Sequence, residues 1–390
     1  MTVVKFNDLK SQWNLIKDSA LPRLNNIFDT CSYILGPDVR VFEENFAEYI
    51  GATHAIGVAS GLDALKIATL CFDEYINSSV SVYIPSNTFI ATALGVEDAL
   101  KLMNCRYQIH LVDCDEFYQM DMKKLNDVLE KNQANTEHTL VVPVHLYGHS
   151  CNMELLYKLK DRYRFKILED CSQAHGTEYA LGKKVGSCAK TDISAFSLYP
   201  GKNLGALGDA GVIVTHNSEY ADRCQYLRNY GAKVKYHHEY FGFNSRLDSI
   251  QAVMVDEKLK FLDEWNDLKN SVAERYDTAF LDMEELNFPE KAPYCNKHSY
   301  HLYVIRVNAS QRTALQKHLA SNDIQSGMHY PIPIEKTGVY EDCGWNSPVT
   351  LKYSEEILSL PIHPFMTNEE VQRVIDCVKD FFKKLIMSEY

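Results

Sequence analysis

The chain has no C-x-x-C pair, no basic excess, no low-complexity tract and no fixed-period repeat. It also has no apolar run near the ~20 residues that a membrane-spanning helix needs. Each absence removes a class of protein. Eleven cysteines, at 31, 71, 105, 114, 151, 171, 188, 224, 295, 343 and 377, are odd in number and lack metal-ligand spacing. Reduced thiols are expected, with neither a disulfide framework nor a structural metal. The net charge of −12 has the wrong sign for a nucleic-acid binder, which presents a basic face. An anionic small ligand would need cations supplied locally in its site. The opening MTVVKFNDLKSQW has no basic stretch leading into an apolar one, so no secretory leader is read and a cytoplasmic protein is expected.

What is present is an ordinary globular balance, 46% hydrophobic and 24% charged over 390 residues. That length suggests two domains. Short runs rich in β-branched residues alternate with helical patterns: HAIGVAS (54–60), VSVYIPS (80–86), IHLVDCD (109–115), TLVVPVHLYG (139–148) and FKILEDC (165–171). Strand alternating with helix implies a mainly parallel sheet covered on both faces. DISAFSLYP and AGVIVTH follow with only a glycine-rich link, the mark of a hairpin. From residue 250 the texture changes. SIQAVMVDEKLKFLDEWNDLKNSVAERYDTAFL reads as one long amphipathic helical region bridging two domains, and TNEE marks a helix start with Thr367 or Asn368 as cap. The expected division is 1–255, a large α/β domain, and 256–390, a smaller α+β domain.

In an open α/β sheet, ligands bind beyond the carboxyl ends of the strands. Four segments fall there. ASGLDAL opens a helix after the first strand, where free backbone N–H groups can hold a phosphate; any strand-to-helix turn, however, favours small residues. SNTFIATAL brings Phe89 to the same edge. ILEDCSQAHG ends the fifth strand with Glu169 and Asp170, then Gln173 and His175. A carboxylate there is costly without a cationic partner, unless it merely caps a helix. FSLYPGKNLGALGDAG surrounds Lys202 with glycines and places Asp209 seven residues on. A surface lysine needs no such setting, but one reaching a bulky planar cofactor does. A lysine that carries the cofactor covalently and an aspartate that keeps a ring nitrogen protonated are the two groups a pyridoxal phosphate enzyme must supply.

These segments, with RNYGAKVKYHHEYFGFNSRLDSIQA, HYPIP and LSLPIHP, resemble the DegT/DnrJ/EryC1/StrS nucleotide-sugar aminotransferases. The resemblance runs in order over nearly the whole chain. It implies the fold type I architecture of aspartate aminotransferase: a mainly parallel seven-stranded sheet in the large domain and a smaller α+β C-terminal domain. It implies pyridoxal 5'-phosphate, with pyridoxamine phosphate as its amino-carrying form, and no metal. Lys202 matches the lysine that bears the cofactor, and Asp170 matches the partner of its ring nitrogen. Gln173 resembles the residue near the phenolic oxygen, and Phe89 the aromatic stacked on the ring. Ser60, Gly61, Leu62 and Ser197 resemble the phosphate cup. Asn244 matches a residue that a neighbouring subunit lends to that phosphate, which implies a homodimer with shared sites.

YPGKNLGALGDAG and KYHHEYFGFNSRLD are most similar to family members that aminate the third carbon of dTDP-3-keto-6-deoxyhexoses, with glutamate as donor. Members acting at the fourth carbon more often carry Thr or Ser where this chain has Gly201. Tyr199, His329 and Tyr330 are the candidate sugar contacts, each with packing as the plainer reading. Arg246 is the candidate for the diphosphate, ahead of Lys233 and Lys235, or else an ion-pair partner of Asp248. Gluco and galacto products both stay open, as do O-antigen, S-layer or antibiotic destinations. The reading from another class is a cofactor-binding regulator without turnover. Such proteins carry a DNA-binding module, for which VVKFNDLKSQWNLIKDSALPRLNNIF is too short.

Overall fold

Seven strands form the central sheet: β1 (His54–Val58), β2 (Ser79–Pro85), β3 (Arg106–Val112), β4 (His138–Val141), β5 (Lys166–Asp170), β7 (Ile193–Ser197) and β8 (Gly211–Thr215). The two-residue β6 (Glu178–Tyr179) lies outside it and pairs with Cys295–Lys297. The computed structural model describes residues 2–132, 137–180, 182–234, 236–341 and 344–388. Strand order is β1-β8-β7-β5-β4-β2-β3. All run parallel except β8, which is antiparallel to both of its neighbours. The expected hairpin is therefore β7–β8. Burial on both faces follows from the crossover helices; β2, SVSVYIP, is buried at every position after the first.

Two expectations change in detail. The fourth strand ends at Val141 and not at Gly148, because Pro143 has no N–H to extend the ladder. Its carbonyl still accepts from Asp170 N at 2.9 Å. The long helical region is two helices, Ser249–Leu259 and Leu262–Phe280, interrupted at Lys260–Phe261. The first is buried all round, not amphipathic, and its Asp256 and Glu257 are met by Arg23 at 2.6 and 2.7 Å. A buried acidic pair needs such a partner.

A second core lies around the three-stranded sheet of Leu286–Asn287, Tyr303–Val307 and Ile357–Leu360. Tyr276, Phe280, Val374 and Phe382 fill it, and Val4 joins from the N-terminal segment. The last helix begins with a reciprocal cap: Glu370 N donates to Thr367 Oγ1 at 3.2 Å, and Thr367 N to Glu370 Oε2 at 2.9 Å. Thr367, not Asn368, is the cap. A cavity at the carboxyl edge of the large sheet is lined from both cores, by Leu65 of the first and Ile362 of the second. Among the described residues no helix is long and apolar enough to cross a membrane.

Candidate active site

A cavity of about 460 Å³ gathers the ends of β1, β2, β5 and β7 with residues of the smaller sheet's side. Lys202 reaches it from the turn after β7. The turn is fixed by Lys202 N bonding Tyr199 O and Ala206 N bonding Leu198 O, both at 2.8 Å. Two of the surrounding glycines are required sterically. A Cβ on Gly205 would sit 2.3 Å from Pro200 O, and one on Gly211 would sit 2.4 Å from Ser60 O. Gly201 is under no such demand, since a Cβ there would meet only the Tyr199 ring at 3.5 Å. Burial pulls the Lys202 ammonium down to about 8, and the Asp170 charge acts in the opposite direction.

Asp170 ends β5 with its carboxylate fixed on both oxygens. Oδ2 accepts from Thr92 Oγ1 at 2.7 Å and Oδ1 from Ser172 N at 3.0 Å. Gln173 is anchored by Tyr147 N at 2.8 Å on its oxygen, and its Nε2 donates to Tyr330 OH at 3.0 Å. The Phe89 ring is half exposed in the cavity, 5.2 Å from that of Tyr330. On the other side, Ser60 caps the helix Gly61–Thr69 by accepting from Asp63 N at 3.1 Å. Gly61 lies so close to β7 that a Cβ would stand 2.5 Å from Ser197 Cβ. Leu62, Ser197, Tyr199 and Asp209 complete that wall. His329 stacks on Phe6 at 5.6 Å and shares a 2.9 Å hydrogen bond with Ser359 Oγ. Burial, then the nearby Lys202, pulls it down to about 4, so it is neutral at pH 7.

The donor set fits pyridoxal phosphate. It offers an amine with depressed proton affinity, a doubly held carboxylate, the half-exposed ring of Phe89 on the cavity wall, and the N-terminus of the helix Gly61–Thr69 opening on the same cavity. Of the residues expected in the site, Asn244 and Arg246 are the two outside this cavity. Asn244 is exposed and bridges to Asn229. Arg246 donates to Asn229 Oδ1 at 2.9 Å and covers the Tyr230 ring at 5.2 Å. Lys233 pairs with Glu239 at 2.8 Å, and Lys235 lies outside the described residues.

Thr92, Tyr147, Lys269, His301, Phe6 and Asn7 also act at or line the site, and sequence reading passed over them. Only Thr92 carried a signal. It sits one helical turn after Thr88, whose hydroxyl it meets at 2.9 Å.

The sequence profile of the DegT/DnrJ/EryC1/StrS aminotransferase family matches residues 14–379. The dTDP-3-amino-3,6-dideoxy-alpha-D-galactopyranose transaminase of Aneurinibacillus thermoaerophilus is 39% identical, over 97% of this chain and 99% of its own. The dTDP-3-amino-3,4,6-trideoxy-alpha-D-glucose transaminase of Streptomyces venezuelae is 34% identical, over 98% and 97%. The crystal structure of Bacillus subtilis NtdA with bound cofactor PMP superposes with a TM-score of 0.86 at 28% identity, over 98% of this chain and 86% of that one.

Proposed function

This chain belongs to the DegT/DnrJ/EryC1/StrS aminotransferase family and works with pyridoxal phosphate, and we propose that it moves an amino group from glutamate to the keto carbon of a dTDP-linked 3-keto-6-deoxyhexose. The product is then a dTDP-3-amino-3,6-dideoxyhexose. The observation that carries this reading is Lys202 and Asp170 facing one cavity, the amine depressed by burial and the carboxylate held by Thr92 and Ser172. The names of the two 3-amino-sugar transaminases at 34% and 39% identity support the substrate.

Bound pyridoxal phosphate supplies an electron sink for the carbanion left when an amino acid loses its α proton. Lys202 would hold the cofactor covalently, and its amine, when free, is the base at hand for that proton; burial favours the neutral form this task needs. Asp170 would keep a proton on the ring nitrogen, Gln173 would serve the phenolic oxygen and Phe89 would hold the ring. Ser60, Gly61, Leu62 and Ser197 would take the phosphate at the helix N-terminus. Tyr199, His329 and Tyr330 flank the hexose, and His329, being neutral, can accept as well as donate there. Arg246 and Asn244 enter through a homodimer in which Asn244 serves the phosphate of the partner subunit's site.

The test is direct. The protein is incubated with glutamate and each dTDP-3-keto-6-deoxyhexose, and NMR locates the new amine. An amine at the third carbon is expected. An amine at the fourth carbon, or none with any keto sugar, overturns the reading.

A further inference from the structure

A second lysine opens on the same cavity. Lys269, on the helix Leu262–Phe280, is 6% exposed and lines the cavity with Lys202. These two are the only lysines or arginines among its described lining residues. Lys269 Nζ donates to Asn203 Oδ1 at 2.9 Å. The orientation of Asn203 is fixed, because its Nδ2 is spent on Asn266 Oδ1 at 2.8 Å and Ser299 O at 2.7 Å. The ammonium therefore has one neutral acceptor for its three N–H groups, and no carboxylate pairs with it among the described residues. Burial, with no charge opposing it, pulls its pKa to about 7. The histidines within its field, His175, His298, His301 and His363, are all pushed toward the neutral form and bring no negative charge.

A buried, unpaired ammonium is expensive to keep. Lys258 is the contrasting case. It is 2% exposed, donates to Gly205 O at 2.6 Å and does not line the cavity, so it ties two backbone segments together. Lys269 instead has donors to spare where a ligand sits. His301 lies within the field of both Lys202 and Lys269, and its Nδ1 is buried without a partner. Lys202, Lys269 and His301 line one cavity, in which Lys269 brings an ammonium without a counter-charge and His301 a buried ring nitrogen without a partner.

We propose that Lys269, with His301 beside it, is the carboxylate-binding group for the amino donor, an α-amino dicarboxylic acid whose amine must come up to Lys202. The inference rests on the aminotransferase reading above and adds the residue that selects the donor. A carboxylate there supplies the counter-charge that the fold withholds, through a charge-assisted hydrogen bond. Asn203 aims the ammonium, and as the residue after Lys202 it ties the donor site to the turn that carries the reacting amine.

Glutarate alone, a dicarboxylate without the reacting amine, is the probe. Its affinity for the holoenzyme is measured by calorimetry in wild type, Lys269→Met and Lys269→Arg. Lys269→Met should weaken glutarate about tenfold or more, the scale of a lost hydrogen bond to a charged group, and Lys269→Arg should keep most of the affinity. In single-turnover kinetics the methionine variant should raise the half-saturating glutamate concentration by a much larger factor than the half-saturating keto-sugar concentration. Equal glutarate affinity in wild type and Lys269→Met overturns the inference, as does an equal loss in both half-reactions. If Lys269→Met does not fold, Lys269→Gln takes its place with the same expected loss. If glutarate binds through Lys269 but no keto sugar is aminated, the functional reading falls while this inference stands.

Discussion

Thr92 Oγ1 donates a 2.7 Å hydrogen bond to Asp170 Oδ2 and itself meets Thr88 Oγ1 at 2.9 Å. The segment after β2 thereby sets the orientation of the carboxylate at the end of β5. Asp170→Asn preserves the shape but cannot hold a proton on a ring nitrogen as a carboxylate does. It should slow the glutamate half-reaction by ~10²-fold or more, the range for a key electrostatic group. Thr92→Val leaves the charge and removes its orienting donor, so an intermediate loss of roughly tenfold is expected. Stopped-flow half-reactions measure both. An unchanged rate in Thr92→Val would mean that Ser172 N alone positions the carboxylate.

Borohydride reduction of the holoenzyme should fix the cofactor on Lys202. Lys202→Ala should abolish both the covalent link to the cofactor and turnover, because no other base is placed to take over. Peptide mapping reads the site of labelling. A label on Lys269 would exchange the roles assigned to the two cavity lysines.

The same lysine gives a pH prediction whose sign follows from burial. In the cofactor-free protein the Lys202 pKa falls from its ordinary 10.5 to about 8. Between those values the unfolded chain binds the extra proton, so this residue's contribution makes stability rise with pH from 8 to 10.5. Asp170 opposes the fall, so Asp170→Asn should lower the midpoint further. NMR of 13C-methylated lysines, assigned by loss of the signal in Lys202→Ala, follows the titration. A midpoint that stays near 10.5 would place the amine in solvent.

Lys202 and Asp170 could be read from sequence because one follows a strand and the other ends one, and one strand edge collects whatever its strands deliver. Gly205 and Gly211 signalled a crowded turn for the same local reason. Lys269 was not legible: within WNDLKNSVAERY its spacing is that of any amphipathic helix, and its meaning comes from Asn203, 66 positions away. Tyr147 was hidden likewise, since its backbone N–H reaches Gln173 across the sheet edge. Hydrophobic runs located the strands but not their neighbours; that β8 lies between β1 and β7 is a tertiary outcome. The break at Lys260–Phe261 also escaped periodicity, because both halves keep helical spacing and no proline or glycine marks the join.

The shared-site proposal makes a prediction that a single mutant cannot. Asn244 is exposed, and Phe241, three positions before it in the same segment, is 77% exposed, an apolar side chain that a second subunit would cover. Asn244→Ala should weaken cofactor retention in a homodimer without disturbing the fold, and Lys202→Ala should be inactive. Mixed dimers of the two should regain activity. The subunit that keeps Lys202 then receives an intact Asn244 from its partner, so one of the two sites is whole. If Asn244 acted within its own subunit, each site of the mixed dimer would still carry one defect and mixing would restore nothing. Dissociating and reannealing the two variants, then assaying amino transfer and cofactor content together, decides between the arrangements.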